Sequence, residues 1–176
     1  MHIRLASSLG LIIGIAFCAC TGQGQAGEHQ VRAAPDVKWG IEQSGLRFRI
    51  WTVAAAFGHS EAIPLHYAVQ NISKVPRDVW HAFFWSNHRV TVTAPDGRPV
   101  NLTRAGEIAR KAAKDGMQEK TYPFSLPPGA KDLNWPITNL RDYFVFDAEG
   151  RYLVRCIYEN KSVKIVSNTL TVTVRK

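Results

Sequence analysis

Short runs in which apolar and polar residues alternate are the feature that most constrains the fold of this chain. Residues 46–51, 65–70 and 152–158 are examples, and turn residues such as Pro, Gly and Asn separate the runs. Successive side chains of a strand point to opposite faces, so the alternation predicts strands with one buried face. The short connections favour antiparallel pairing. We therefore expect an all-β fold, an immunoglobulin-like antiparallel β-sandwich of seven to eight strands, with a small β-barrel as the alternative.

One segment departs from this strand pattern. Residues 105–115 are rich in Ala and Lys and are followed by Gly116, which favours the end of a helix. They predict one short helical insertion between strands. The sequence shows no internal repeat and no sign of a second domain, so residues 37–176 are expected to form the β-sandwich domain.

The N-terminal residues predict export. Residues 9–19 form an eleven-residue apolar run, shorter than the roughly 20 residues that span a bilayer, as in a signal peptide over residues 1–20. Residues 17–20, Phe-Cys-Ala-Cys, resemble a bacterial lipobox, which would make Cys20 the lipidated residue. Cleavage after Ala26 by ordinary signal peptidase is the alternative.

This processing sets the expected location and the cysteine chemistry. Residues 21–36 are expected to form a flexible tether, and lipid rather than a transmembrane helix would hold the protein on a membrane. We expect a lipoprotein in the periplasm or at the cell surface, with a soluble secreted or periplasmic protein as the alternative. Cys156 alone would remain as a thiol, so no internal disulfide can form. Export disfavours nucleic acid as a partner, although 22 Lys and Arg exceed 14 Asp and Glu.

Five segments carry a resemblance to a known class of domains. They read IPLHYAVQNIS at 63–73, APDGRPVNL at 94–102, LPPG at 126–129, GRYLV at 150–154 and SNTLTVTV at 167–174. Together they resemble bacterial exported immunoglobulin-like β-sandwich modules of uncharacterised function. In such domains a tyrosine near the start of a late strand hydrogen-bonds back across the preceding corner, and Tyr152 would take this place. Val154 would stand where antibody domains have a cysteine.

A weaker similarity links the chain to the Bacillus intracellular proteinase inhibitor family. After its Asp-Gly turn that family has an aromatic, Trp-rich segment, whereas this chain has Arg-Pro-Val-Asn-Leu-Thr at residues 98–103. Proteinase inhibition is therefore kept as an alternative function and is not inferred from the family.

The sequence offers no motif for catalysis or for cofactor binding. It lacks a G-x-S-x-G nucleophile turn and a phosphate-binding Gly loop, and its acidic residues are scattered. Cys156 falls in the middle of an apolar strand face, where a thiol behaves as a small hydrophobe. His81 and His88 provide two imidazoles without a third metal ligand. We expect no enzyme activity, no cofactor and no metal site.

An aromatic segment is the first candidate for a binding surface. Residues 79–85 read VWHAFFW, and a strand here would place Trp80 and Phe84 on the face opposite the core. These side chains form either an exposed docking patch or a surface covered by residues 105–115 or by the loop around Trp135.

A basic stripe is the second candidate. Arg47, Arg49 and Trp51 share the outward face of one predicted strand, and cations beside an aromatic suit anionic lipid or polysaccharide. We therefore expect a non-catalytic binding or accessory module of the cell envelope, chiefly for protein interaction. Binding of envelope polysaccharide or anionic lipid and inhibition of a proteinase are the alternatives.

Overall fold

β-Strand is the predominant secondary structure of the described chain, as the alternating runs predict. A computed structural model of the protein describes residues 37–81, 84–115, 122–133, 138–160 and 162–176. The predicted signal peptide, Cys20 and the tether lie outside these residues, so their predictions are not addressed by the structure.

The described residues form eleven strands and three short helices, where seven to eight strands and one helical insertion were expected. The additional strands have only two or three residues, too few for a period of two to be recognised. In chain order the elements are β1 (Leu46–Trp51), β2 (Ala56–Gly58), β3 (Pro64–Asn71), β4 (Arg77–His81), α1 (Phe84–Asn87), β5 (His88–Thr93), α2 (Arg104–Lys114), β6 (Tyr122–Leu126), β7 (Lys131–Leu133), β8 (Thr138–Asn139), α3 (Leu140–Tyr143), β9 (Gly150–Glu159), β10 (Lys164–Val166) and β11 (Leu170–Arg175).

Two sheets and a ribbon organise these strands. In sheet A, β3 pairs with β1, β7 and β8. In sheet B, β9 pairs with β5 along one edge and with β11 and β10 along the other, and β2 joins β11. The β4–β6 ribbon is a separate antiparallel pair. The pairing of β2 with β11 is parallel, so the expectation of wholly antiparallel sheets is wrong: connection length predicts pairing between successive strands, and β2 pairs with the last one.

The buried faces of sheets A and B contribute to one core. The ring of Phe48 on β1 lies 6.0 Å from Tyr67 on β3, 5.9 Å from His88 on β5 and 6.4 Å from Tyr158 on β9, measured between ring centroids. Apolar side chains of both sheets fill the remaining volume. Each large side chain buried there stabilises the fold by about 1.5–3 kcal/mol.

In the described part of the chain, the Asn168 side chain and the Gly40 backbone, and no further strand, bond to the outer edge of β1. The backbone N–H of Ile50 donates to Oδ1 of Asn168 at 2.8 Å, and Nδ2 of Asn168 donates to the Ile50 carbonyl at 3.1 Å. The N–H of Gly40 donates to the Phe48 carbonyl at 2.8 Å. Asn168 thus occupies the hydrogen-bonding positions that a neighbouring strand would use.

The corner predicted at the start of β9 is present. The Tyr152 hydroxyl donates to the carbonyl of Ala148 at 2.7 Å and lies 3.1 Å from the Ala148 N–H, which donates to it. Val154 is buried in the core two residues later. The tyrosine hydroxyl therefore fixes the turn that leads into β9.

The predicted helix at residues 105–115 is confirmed as α2. Thr103 caps it, because its Oγ1 accepts a hydrogen bond from the Gly106 N–H at 3.1 Å. A Cβ on Gly106 would overlap the Tyr143 carbonyl, so glycine allows α2 to approach α3 closely. Ala109 extends from α2 into the core. No helix within the described ranges is both long and apolar enough to cross a membrane.

Candidate interaction surfaces

The aromatic segment predicted as one strand changes conformation halfway. β4 ends at His81, residues 82–83 lie outside the described residues, and α1 begins at Phe84. Phe84 is 3% exposed, and its ring stacks on His88 with 4.4 Å between centroids. The prediction that Phe84 lies on an outward strand face is wrong, because a helical turn replaces the period of two and directs this ring inward.

The inserted helix packs against this segment. Trp85 is buried, and its ring lies 4.6 Å from Tyr143 and 6.1 Å from Phe144. α2 contacts both α1 and α3, and its Ala109 belongs to the same buried cluster. The aromatic segment was expected to be either an exposed docking patch or a covered surface. For the α1 part of the segment, residues 105–115 provide the cover. Trp135 lies outside the described residues.

Trp80 is the predicted patch residue that retains exposure. Its side chain is half-buried, and it sits opposite the exposed Pro123 in the β4–β6 ribbon. The Trp80 N–H donates to the Tyr158 hydroxyl at 2.7 Å, and its carbonyl accepts from Nδ2 of Asn87 at 2.9 Å. These bonds hold the backbone of the ribbon against β9 and α1.

Further exposed apolar side chains lie on the ribbon and in the turn before it. Phe124 on β6 is 47% exposed, and Ile72 and Val75 between β3 and β4 are also exposed. Nδ2 of Asn71 donates to the carbonyls of Val75 and Leu126, each at 2.8 Å, so the turn is tied to β6. We call the β4–β6 ribbon with residues 72–76 the ribbon surface.

The basic stripe on β1 is covered. Arg49 and Trp51 are 8% and 6% exposed, contrary to the expectation of an open outward face, and Arg47 is half-buried. The Trp39 ring centroid lies 4.7 Å from the guanidinium carbon of Arg47 and 4.5 Å from that of Arg49. The guanidinium carbon of Arg49 is also 5.0 Å from the Trp51 ring centroid. Arg49 is thus stacked between two indoles.

The stack of rings and guanidinium groups continues into sheet A. Its cover by Trp39 could not be predicted from the strand pattern. The Trp51 ring stacks on His66 of β3 with 5.4 Å between centroids, and burial lowers the pKa of the His66 imidazole. Trp39 reaches the stripe because Gly40 hydrogen-bonds alongside β1. Alternation predicts which side chains share a face, but it contains no information on which distant segment covers that face.

His88 and Cys156, considered for metal and thiol chemistry, have structural roles, and the side chain of His81 lies outside what the structure describes. Nδ1 of His88 lies 2.8 Å from the Phe84 carbonyl, which requires the proton on Nδ1. Cys156 is fully buried, and desolvation raises the pKa of its thiol, which opposes thiolate formation. Across the described ranges, no group of three or more His, Cys, Asp and Glu side chains could hold a metal ion.

A second basic surface, absent from the sequence predictions, lies on the outer face of sheet B. Arg151, Leu153 and Arg155 alternate along β9 and are exposed, while the residues between them are buried. Thr173 of β11 pairs with Arg151, and Thr91 of β5 pairs with Arg155. The signal for this surface is present in the alternation of residues 150–159, whose positions between the buried ones are exposed.

Comparisons with known proteins identify no family. No protein-family model matches the sequence, and no curated protein matches it. A β-glucosidase from Erythrobacter marinus is 10% identical at a TM-score of 0.41 over 74% of this chain and 15% of its own. A β-glucosidase from Listeria innocua, in complex with glucose, is 15% identical at a TM-score of 0.38 over 86% of this chain and 20% of its own.

A third similar structure is the CARDB domain of a protein from Pyrococcus furiosus. It is 14% identical at a TM-score of 0.33, over 78% of this chain and 96% of that domain. The chain thus spans about a fifth or less of the β-glucosidases and nearly all of the CARDB domain. All three TM-scores lie below 0.5, so none of these similarities assigns an activity.

Proposed function

We propose that the protein is a non-catalytic binding module of the bacterial cell envelope that docks a protein partner on the ribbon surface. The observation that carries this proposal is that apolar side chains of the ribbon and of the turn before it are exposed, namely Ile72, Val75 and Phe124. Half-buried Trp80 lies on the other face of the ribbon, because it pairs with Pro123 whereas Phe124 pairs with Val79. Exposed apolar and aromatic patches rimmed by polar residues are typical of protein interfaces.

The ribbon surface is also held in place before any partner binds. The Asn71 side chain joins the turn to β6, and the Tyr158 hydroxyl accepts a hydrogen bond from the Trp80 N–H. A surface ordered in advance loses less conformational entropy on association, which favours binding. Exposed Lys74 and Asp78 lie within or beside the apolar patch and would form part of its polar rim.

The proposal includes an immunoglobulin-like β-sandwich as the scaffold. Two sheets that share one core and the Tyr152 hydrogen bond at the entry to β9 support this assignment. It also includes export by the signal peptide, lipidation at Cys20 and a tether over residues 21–36, so that the domain stands off the membrane. The apolar run and the lipobox-like residues of the sequence support these steps.

Crosslinking in the native envelope tests the function. Full-length protein, wild type or carrying Val75→Ser with Phe124→Ser, is crosslinked mildly in its own cells, and captured proteins are identified by mass. The matched control is Ile108→Ser, which removes an exposed aliphatic side chain from α2. We expect a partner captured by wild type and by the control but lost with the double variant.

Two results would contradict the proposal. Capture of the same proteins by wild type and double variant would remove the ribbon surface from the interaction. Loss of the partner with Ile108→Ser as well would place the contact on α2. Thermal unfolding of each variant verifies that the exposed substitutions leave the fold intact, as expected for surface sites within about 0.5 kcal/mol.

A further inference from the structure

The outer face of sheet B is a surface that the ribbon surface does not include. We call it the cationic face and define it by the outward residues of β5, β9, β10 and β11. Inward residues of these strands, such as Val92, Val154 and Val172, are buried, which fixes the orientation of their exposed neighbours. The face includes five basic residues and one acidic residue: Arg89, Arg151, Arg155, Lys164, Arg175 and Glu159.

The one carboxylate of this face, that of Glu159, already forms ion pairs. Oε2 of Glu159 lies 3.3 Å from Arg89, and Oε1 lies 3.8 Å from Lys164. Within the described ranges no ion pair involves Arg151 or Arg155, and both side chains are exposed. These two guanidinium groups are therefore available to an anion from outside the protein.

Hydroxyl groups flank the arginines in a regular register. Leu153, which is 42% exposed, pairs with Thr93 on one side and with Thr171 on the other. Four residues separate Arg151 from Arg155 along β9, a distance of about 13 Å at 3.3–3.4 Å per residue. An extended ligand lying along β9 would meet, in order, a guanidinium group, an aliphatic side chain between two hydroxyls, and a second guanidinium group.

We propose that the cationic face binds a linear acidic polysaccharide. Its carboxylate, sulfate or phosphate groups would accept hydrogen bonds from Arg151 and Arg155, which offer planar paired donors suited to such oxyanions. Sugar hydroxyls would bond to the flanking threonines, and the apolar face of a sugar ring would lie over Leu153. This inference is independent of the proposed protein partner, since none of these residues belongs to the ribbon surface.

The composition of the face favours a polysaccharide over a membrane surface. A membrane-binding surface inserts several aromatic or aliphatic side chains into the headgroup region. Leu153 is the large apolar residue with high exposure in the described part of this face, and threonines border it on both neighbouring strands. An array of arginines and hydroxyls matches charged, hydroxyl-rich sugars better than acyl chains.

Affinity electrophoresis of the full-length protein tests the inference. Polygalacturonate in the gel is the acidic probe, dextran is the uncharged comparison, and phosphatidylglycerol vesicles in a separate sedimentation assay represent a membrane. Arg151→Gln with Arg155→Gln is the test variant. Arg104→Gln with Arg110→Gln is the control, because it removes the same charge from exposed positions on α2.

We expect retention by polygalacturonate and none by dextran. The test variant should weaken retention about tenfold, since a charge-assisted hydrogen bond contributes roughly that factor or more, and the control should not. Retention should also fall between about 0.1 and 1 M salt, as the Debye length shrinks from roughly 10 to 3 Å. Leu153→Glu, which places a carboxylate at the centre of the face, should abolish retention. Phe124→Ser on the ribbon surface should leave it unchanged.

Three results would overturn the inference. Equal losses in the test and control variants would mean that net charge alone retains the protein. Retention unchanged by Leu153→Glu would place the polysaccharide elsewhere. Binding to the vesicles without retention by polygalacturonate would make the face a membrane-binding surface. Because Phe124→Ser separates the two surfaces, failure here leaves the partner-capture experiment fully interpretable.

Discussion

Two strand faces of this protein each present a pair of arginines, in opposite environments. On β1, Arg47 and Arg49 lie beneath Trp39, and Arg49 is stacked between two indoles. On β9, Arg151 and Arg155 are exposed beside threonines of the neighbouring strands. Arginine alternates with apolar residues over 46–51, whereas Tyr-Leu-Val separates Arg151 from Arg155. The comparison shows that the strand pattern determines which face an arginine side chain lies on. Whether that side chain is exposed depends on a segment outside the strand, here the one that contains Trp39.

The largest expected effect separates the two faces by their contribution to stability. Arg49→Ala should lower the free energy of unfolding by about 2–4 kcal/mol, because it removes two cation–π contacts and leaves a cavity between the rings. Arg155→Ala should change it by no more than about 0.5 kcal/mol, as for exposed sites. Urea unfolding of both variants gives the two values. Equal losses would show that coverage by Trp39 has no energetic consequence.

Removing the cover itself sharpens the comparison. Trp39→Ala should destabilise the fold by about 2 kcal/mol through lost cation–π contacts and lost burial. Trp39→Phe, which keeps an aromatic ring over Arg49, should recover a large part of that loss. The same denaturant titration measures both. A variant as stable as wild type would mean that the stack forms without contributing to stability.

A smaller loss of stability is expected at the start of β9, the strand that carries the exposed arginines. Tyr152→Phe removes the hydroxyl that bonds to Ala148, and we expect a loss of about 1–1.5 kcal/mol. The control is Tyr143→Phe, because among the described residues the Tyr143 hydroxyl makes no hydrogen bond. Thermal unfolding distinguishes them. A control as destabilised as Tyr152→Phe would remove the corner as an explanation of the loss.

The smallest expected effect is a pH dependence that belongs to the covered face alone. Burial lowers the pKa of His66 below its ordinary value of 6.5, so the unfolded chain takes up the proton first as the pH falls. The contribution of His66 to the free energy of unfolding is therefore fully present above about pH 6.5. It is lost as the pH falls through the lower pKa of the folded state. His66→Phe should flatten the stability profile between about pH 7.5 and 5. An unchanged slope would assign the pH dependence to other groups.

The long strands could be predicted because their alternation is local. The pattern over residues 46–51 and 152–158 corresponds to β1 and β9, and the Ala- and Lys-rich segment corresponds to α2. The Tyr152 hydrogen bond could be predicted because its partner lies four residues away. Each of these features depends on interactions between residues close in sequence.

The candidate surfaces were harder to predict because they depend on distant residues. Phe84 turned inward with α1, and Arg49 was covered from Trp39, ten residues earlier in the chain. The cationic face combines four strands from separate parts of the sequence, and its register appears only when β5, β10 and β11 are placed beside β9. No local pattern contains that register.

The closed edge of β1 has a consequence for association between copies of the protein. An open strand edge presents unpaired amide and carbonyl groups that recruit further strands, which leads to domain swapping and aggregation. Asn168 satisfies both polar groups of Ile50 with one side chain, and the Gly40 N–H donates to the Phe48 carbonyl. A protein held at high local density would benefit from this protection, because its neighbours find no template at β1. Asn168→Leu would leave the N–H and carbonyl of Ile50 without the Asn168 side chain and open the β1 edge to other strands. Aggregation, measured as turbidity, would then rise with protein concentration.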